Sequence, residues 1–156
     1  MLQLVRIDDR LVHGQVVVGW GKSLQFNRII VCDPDLGAED WEQQLIKSAC
    51  PPDVEILFFD EESLLDEIDI YINDKVKTII LIGKIDVLNN LINQNFPLNE
   101  INLGGIHYQS GRDQVLSYLY LSREEKLKLK SILSRGYHLF AQDLPTSKKY
   151  ELKNMI

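Results

Sequence analysis

Cysteine is scarce: Cys32 and Cys50 are the two in 156 residues, and no CxxC pair occurs. They make no disulfide framework and read as reduced thiols, with Cys32 buried in a strand. No uninterrupted apolar run approaches the roughly 20 residues that cross a bilayer. The opening residues, MLQLVRIDDR, put charge where a signal peptide keeps its apolar stretch, so the chain is expected to be cytoplasmic. No GxGxxG and no GxxxxGK[ST] is present, so neither dinucleotide nor P-loop nucleotide binding is supported. Repeats, low-complexity tracts and Pro/Gly/Ser linkers are also missing, which leaves one domain over residues 1–156.

A chain of this length can bury roughly two-thirds of its unfolded surface without staples. Its hydrophobic share of 45% and charged share of 26% are those of an ordinary globular domain, not of a disordered tail or a fibre. The net charge of −6 is uneven: residues 1–30 carry +2, residues 31–75 carry −12 and residues 76–156 carry +4. The acidic middle argues against a nucleic-acid groove there and reads as solvated helix faces.

Strand and helix patterns alternate. LQLVRI (2–7), RIIVCD (28–33), VEILFF (54–59) and KTIILIG (77–83) read as strands, three of them followed directly by helical patterns. Residues 14–24 predict a helix despite their valines, because the strand-loop-helix rhythm outweighs propensity. Residues 38–49 predict a second, with Trp41, Leu45 and Ala49 on its apolar side. Residues 61–72, with Leu64, Leu65, Ile68 and Tyr71 on one face, and residues 85–95 predict two more. INLGGIHY (101–108) is a strand broken by glycines, QSGRDQ (109–114) a turn, and VLSYLYLS (115–122) its hairpin partner. Ser122 with Glu125 marks a capping box for a helix over 123–135, closed by Gly136. A last strand covers 137–142, and the tail 147–154 reads as a short helix.

The expected fold is therefore α/β in three layers, with helices on both faces of a mostly parallel sheet. That sheet has about seven strands, one of them antiparallel. Ligands of such sheets sit beyond the carboxyl ends of the strands. Residues 8–14 and the Gly104-Gly105 stretch lie at such ends.

The first of these loops carries Arg6, Asp8, Asp9, Arg10, His13, Gly14 and Gln15 within ten positions. A neutral imidazole is a nucleophile near neutrality, so His13 is the candidate phosphoryl acceptor. N–H groups at a helix start favour phosphate oxygens, and Arg10 can offer them a planar fork. Gly14 lets backbone approach closely. Asp8 or Asp9 could orient a ring nitrogen, cap the helix, or pair with Arg6 or Arg10. None of this needs a metal or a cofactor, and His13, His107 and His138 fit no metal-ligand spacing. His107 sits at a possible rim of the site, and Cys32 and Asp33 could face the same crevice. His138 and Trp20 read as structural.

RIDDRLVHGQV (6–16) resembles the signature R-I-D-[DE]-R-[LI]-[LIV]-H-G-Q-V of a bacterial family. The family is the IIB component of the mannose/fructose/sorbose group of the phosphoenolpyruvate-dependent sugar phosphotransferase system. INLGGIHYQSGRDQV (101–115) and LSRGYHLFAQDLPT (133–146) are similar to its later segments, so the likeness spans nearly the whole chain. Ile106 replaces a frequent methionine, Arg112 a common lysine, and His107-Tyr108 is similar to the N-acetylgalactosamine branch. The resemblance implies a phosphocarrier and protein-histidine–sugar phosphotransferase. It further implies that His13 accepts a phosphoryl group on Nδ1 from a IIA partner and passes it to a sugar imported by membrane IIC and IID components. Arg10 would then bind the phosphoryl group.

The implied place is the cytoplasm, against the permease, and a start at Met1 suggests a free-standing IIB chain. Arg6, Lys22, Arg28, His107 and Arg112 are the basic candidates for the partner surface. The rival readings are a IIB-like regulatory phosphoprotein uncoupled from transport, and an α/β metabolite-binding module without phosphohistidine.

Overall fold

The first strand pattern forms β1 (Leu2–Ile7), and the three runs after it form β2 (Arg28–Cys32), β3 (Glu55–Phe59) and β4 (Thr78–Ile82) in a computed structural model that describes residues 1–36 and 40–156. The period of two in a strand sends alternate side chains to opposite faces. Ile30, Cys32, Ile80 and Ile82 enter one core, and Ile29, Val31, Ile79 and Leu81 enter the other. Burial on both faces explains why these runs are continuously apolar rather than alternating.

The C-terminal half adds β5 (Glu100–Leu103), the antiparallel ribbon β6 (Arg112–Leu116) and β7 (Leu119–Ser122), then β8 (His138–Ala141) and β9 (Tyr150–Glu151). Among the described residues seven strands form one sheet in the order β3-β2-β4-β1-β5-β8-β9, parallel except for β9. β6 and β7 stand apart as a two-stranded unit.

One face of the sheet is covered by a π-helical stretch over Gln15–Trp20, its continuation α1 (Gly21–Leu24) and α2 (Asp40–Ser48). The other face is covered by α3 (Glu61–Asn73), α4 (Ile85–Asn93) and α5 (Arg123–Ser134). The three-layer α/β expectation holds. So does the capping box, in which Ser122 Oγ accepts from the Glu125 N–H and Glu125 Oε2 accepts from the Ser122 N–H. Gly136 follows that helix with φ +91°, a left-handed cap that other residues adopt only with strain.

Four expectations are corrected. The hairpin turns later than its glycines suggested: the 109–114 stretch already contains the start of β6, and β5 ends at Leu103, before the glycine pair. The antiparallel strand of the main sheet is not this hairpin but β9. Its Tyr150 and Glu151 pair with Ala141 and Phe140 where a tail helix was expected, leaving only the short 3-10 turn Leu152–Asn154. An unpaired β8 edge would be a template for association, and the tail covers it. Residues 15–20 wind as a π rather than an α helix, with the N–H groups of both Val16 and Val17 donating to the His13 carbonyl. Finally, Trp41 and Leu45 of α2 are 63% and 64% exposed. Ile46 and Cys50 face the core instead, at the same spacing of four; periodicity gave the stripe but not which stripe is buried. The first residues of that expected helix, 38–39, lie outside the described residues.

Candidate functional site

β1 ends at Ile7 between the carboxyl ends of β4 and β5, and the next residue begins the charged loop. This is where the connections of neighbouring strands diverge to opposite faces, the usual crevice of an open parallel sheet. The loop is pinned from both neighbours. The Asp8 N–H donates to the Ile82 carbonyl (3.0 Å), and the Asp9 N–H donates to the Gly105 carbonyl (2.9 Å). Leu11 then takes φ +54° while its side chain is buried in the second core. A bulky residue in left-handed backbone is costly and persists only where packing holds it, as at functional loops.

Asp8 is the hub. It is fully buried, and its Oδ2 accepts from Arg6 Nη2 (2.9 Å) and the Gly105 N–H (3.3 Å), with His13 Nε2 at 3.0 Å. Oδ1 accepts from the Arg10 N–H (3.2 Å) and stands 3.6 Å from Arg10 Nε. Burial by itself would raise the carboxyl pKa. The hydrogen bond with His13 and the charge of Arg6 outweigh it and hold the group at about 2. Asp8 is therefore an anion at neutral pH and orients the His13 ring through Nε2.

His13 is 14% exposed at its side chain, with its second ring nitrogen left out of the Asp8 contact. Arg10 is 40% exposed and donates through Nη2 to Gln15 Oε1 (2.9 Å), so Gln15 steadies the guanidinium over the loop. Gly14 is helical in backbone, and a Cβ there would meet nothing within 4 Å. The space beside Gly14 is open. Two N–H groups of the first helical turn, Val16 and Val17, are engaged by the His13 carbonyl, which narrows the donors that turn can offer an anion.

Asp9 pairs outward. Its Oδ1 lies 2.6 Å from His107 Nδ1, and its Oδ2 accepts from the His107 N–H at 2.7 Å. Arg112 Nη1 donates to the His107 carbonyl (2.8 Å), while its Nε and Nη2 grip Glu125. A cleft of about 360 Å³ opens here, lined by Asp9, Asp33, Lys84, Ile106, Gln109 and Arg112 among others.

Two candidates for a partner surface are displaced. Arg6 is fully buried: it donates to Asp8, to Asn102 Oδ1 (2.6 Å) and to the Gln142 carbonyl (2.9 Å), and it lies over the Trp20 ring. Arg28 opens β2 at the opposite end of the sheet, where it bonds Glu55 and Asp74. Arg6 is taken up by the buried Asp8 and by Asn102, and Arg28 by the partly exposed Glu55 and Asp74, which a charge count along the chain cannot show. Lys22 is exposed at the far end of the helical segment from His13.

His138 is held between Glu100 (3.1 Å) and Glu151 (2.8 Å), in keeping with a structural role. Cys32 is buried, and burial pushes its thiol up to about 12. Sequence reading missed Asn102 and Gln142, the supports of Arg6. The signal for Asn102 was an amide inside the apolar run INL; Gln142 acts through its main-chain carbonyl, which any residue there would offer.

The chain matches the sorbose subfamily IIB component of the PTS system over residues 2–156. It is 29% identical, over 96% of its length and 94% of the relative's, to the N-acetylgalactosamine-specific phosphotransferase enzyme IIB component 1 of Escherichia coli K12. It is 26% identical to the mannose-specific EIIAB component of the same strain, matching along its whole length but covering 48% of that relative. The crystal structure of the Escherichia coli N-acetylgalactosamine-specific IIB component 1 superposes with a TM-score of 0.88 at 28% identity, over 97% of this chain and 99% of that one. No helix among the described residues is long and apolar enough to cross a membrane. With a fold, a length and a whole-chain match in agreement, the protein belongs to the sorbose subfamily of IIB components of the sugar phosphotransferase system and has their phosphocarrier role in sugar transport.

Proposed function

We propose that His13 is the phosphoryl acceptor of this carrier and that it reacts through Nδ1. The observation that carries the reading is the 3.0 Å contact between His13 Nε2 and the ionised, buried Asp8. A carboxylate at that nitrogen keeps the proton on Nε2 and leaves the lone pair on Nδ1. A IIA phosphohistidine aligned with Nδ1 then gives up its phosphoryl group with little covalent work for any other side chain. Positioning and charge do the rest. Arg10, steadied by Gln15, supplies a cation to the phosphoryl oxygens, and the open space beside Gly14 admits them. The second step passes the group to a sugar held by membrane IIC and IID components. The protein works in the cytoplasm against that permease, as a single domain over residues 1–156, with no cofactor. A small, polar, transient contact around His13 suits two successive partners.

The test is intact mass after incubation with phosphoenolpyruvate, Enzyme I, HPr and a family IIA protein, for wild type and His13→Ala. One phosphoryl group on wild type alone, labile in acid and stable in base, is the expected result. Label persisting in His13→Ala would move the acceptor elsewhere, and no label with several IIA proteins would favour a regulatory role. Adding permease vesicles with mannose, N-acetylgalactosamine or sorbose then identifies the sugar by its phosphorylation.

A further inference from the structure

The loop after β1 holds two histidines with two consecutive aspartates, in opposite senses. Asp8 takes His13 through Nε2, and Asp9 takes His107 through Nδ1. Among the described residues no protein group bonds His107 Nε2, and the side chain is 57% exposed. The two pairs are joined by one short segment. The Gly105 N–H donates to Asp8, the Gly105 carbonyl accepts from Asp9, and Arg10 Nη2 lies 3.3 Å from where a Cβ on Gly105 would stand, two residues before His107.

The His107 side chain is not alone in holding this segment. The backbone does so as well, through the His107 N–H to Asp9, the His107 carbonyl to Arg112 Nη1, and the Gly105 bonds already named. What the imidazole adds is a basic nitrogen at the rim, with a carboxylate on its other nitrogen to stabilise the cation it would become. Asp9 and Arg112, which both bond the His107 main chain, also line a polar cleft of about 360 Å³, the size of a small-molecule site.

The two phosphoryl transfers differ in one requirement. Exchange between imidazole nitrogens removes no proton from the nucleophile, whereas attack by a sugar hydroxyl does. We propose that His107, oriented by Asp9, is the general base of the sugar step, an inference that rests on His13 being the phosphoryl donor. The hydroxyl oxygen forms the new P–O bond as the P–N bond of phospho-His13 breaks. The electron pair of that bond returns to His13 Nδ1, and the hydroxyl proton passes to His107 Nε2. The imidazolium, paired with Asp9, then loses the proton to water. Arg112 from β6 bonds the His107 carbonyl and is itself bonded by Glu125 from α5, and Arg10 stands beside Gly105.

The test uses the full chain with IIA and permease vesicles, measuring both steps for wild type, His107→Gln and His107→Ala with whichever of mannose, N-acetylgalactosamine or sorbose wild type phosphorylates. Expected are normal phosphorylation from IIA and a fall of about 100-fold in kcat of the sugar step with little change in KM. Added imidazole should restore part of the His107→Ala rate. Wild-type sugar transfer in His107→Ala overturns the proposal. So does a loss shared by the IIA step and untouched by imidazole, which would make His107 a docking or structural residue. If wild type itself carries no phosphoryl group, the donor assignment of His13 fails first and is recognised by that.

Discussion

The guanidinium of Arg6 lies where a side chain on Gly104 would have to go. Even a methyl group there would overlap three guanidinium atoms, and these are fixed by bonds to Asp8 (2.9 Å) and Asn102 (2.6 Å). The glycine thus lets a buried cation reach the buried carboxylate that orients His13. Gly104→Ala must displace Arg6 and leave Asp8 partly unpaired. A loss of about 3 kcal/mol, roughly 10 °C in Tm, is expected from a broken buried pair in a chain of this size. Thermal unfolding checks it, and a wild-type Tm would show that Arg6 has another place to go.

Asp8 also sets an acid limit. Its carboxyl stands at about 2 in the folded chain against an ordinary 3.8. The unfolded chain therefore binds this proton more readily. The contribution of the group, about 2 kcal/mol, is complete above about pH 4 and is lost as pH falls through about 2. Asp8→Asn lacks that contribution at every pH and strands Arg6. The Tm difference between wild type and Asp8→Asn should be widest near neutrality and shrink between about pH 4 and 2. An unchanging gap across that window would remove Asp8 from the acid transition.

Arg10 is half out in solvent and bonded mainly to Gln15, so its removal should hardly touch the fold. A stability change within about 0.5 kcal/mol is expected for Arg10→Ala. Phosphoryl transfer to sugar should fall by about 100-fold, the usual effect of losing one preorganised donor to a developing charge. Arg10→Lys should recover part of the rate, because an ammonium keeps the charge but not the planar fork. Full transfer by Arg10→Ala would leave the phosphoryl group to other donors.

Arg28 predicts the opposite pattern. It bonds Glu55 at 2.6 Å and Asp74, and it lies over the Tyr71 ring at the amino end of the sheet. Arg28→Ala should cost about 1–2 kcal/mol, since its partners are partly in water. It should leave the rate of phosphorylation by IIA unaltered at a temperature where both proteins are folded. A slowed transfer in a fully folded variant would return Arg28 to the partner surface.

Much of the architecture was written in local pattern. Continuous apolar runs such as Ile79 to Ile82 announce strands buried on both faces. Ser122 with Glu125 and the later Gly136 mark the start and end of α5, because capping is a matter of neighbouring residues. The charged loop from Asp8 to Gln15 could likewise be placed at a strand's carboxyl end, where parallel sheets keep their ligands. Other features depended on partners far along the chain. Arg6 looked like a surface cation until Asn102 and Gln142, 96 and 136 residues on, came to hold it. Trp41 and Ile46 lie on different stripes of α2, and only packing on the sheet chose which was buried. Tyr150 and Glu151 became a strand because β8 offered an unpaired edge, not from their own propensity. Periodicity, capping and turn chemistry act over a few residues and can be read in order. The burial of a charge, the face of a helix and the pairing of an edge are decided by groups that only the folded chain brings together.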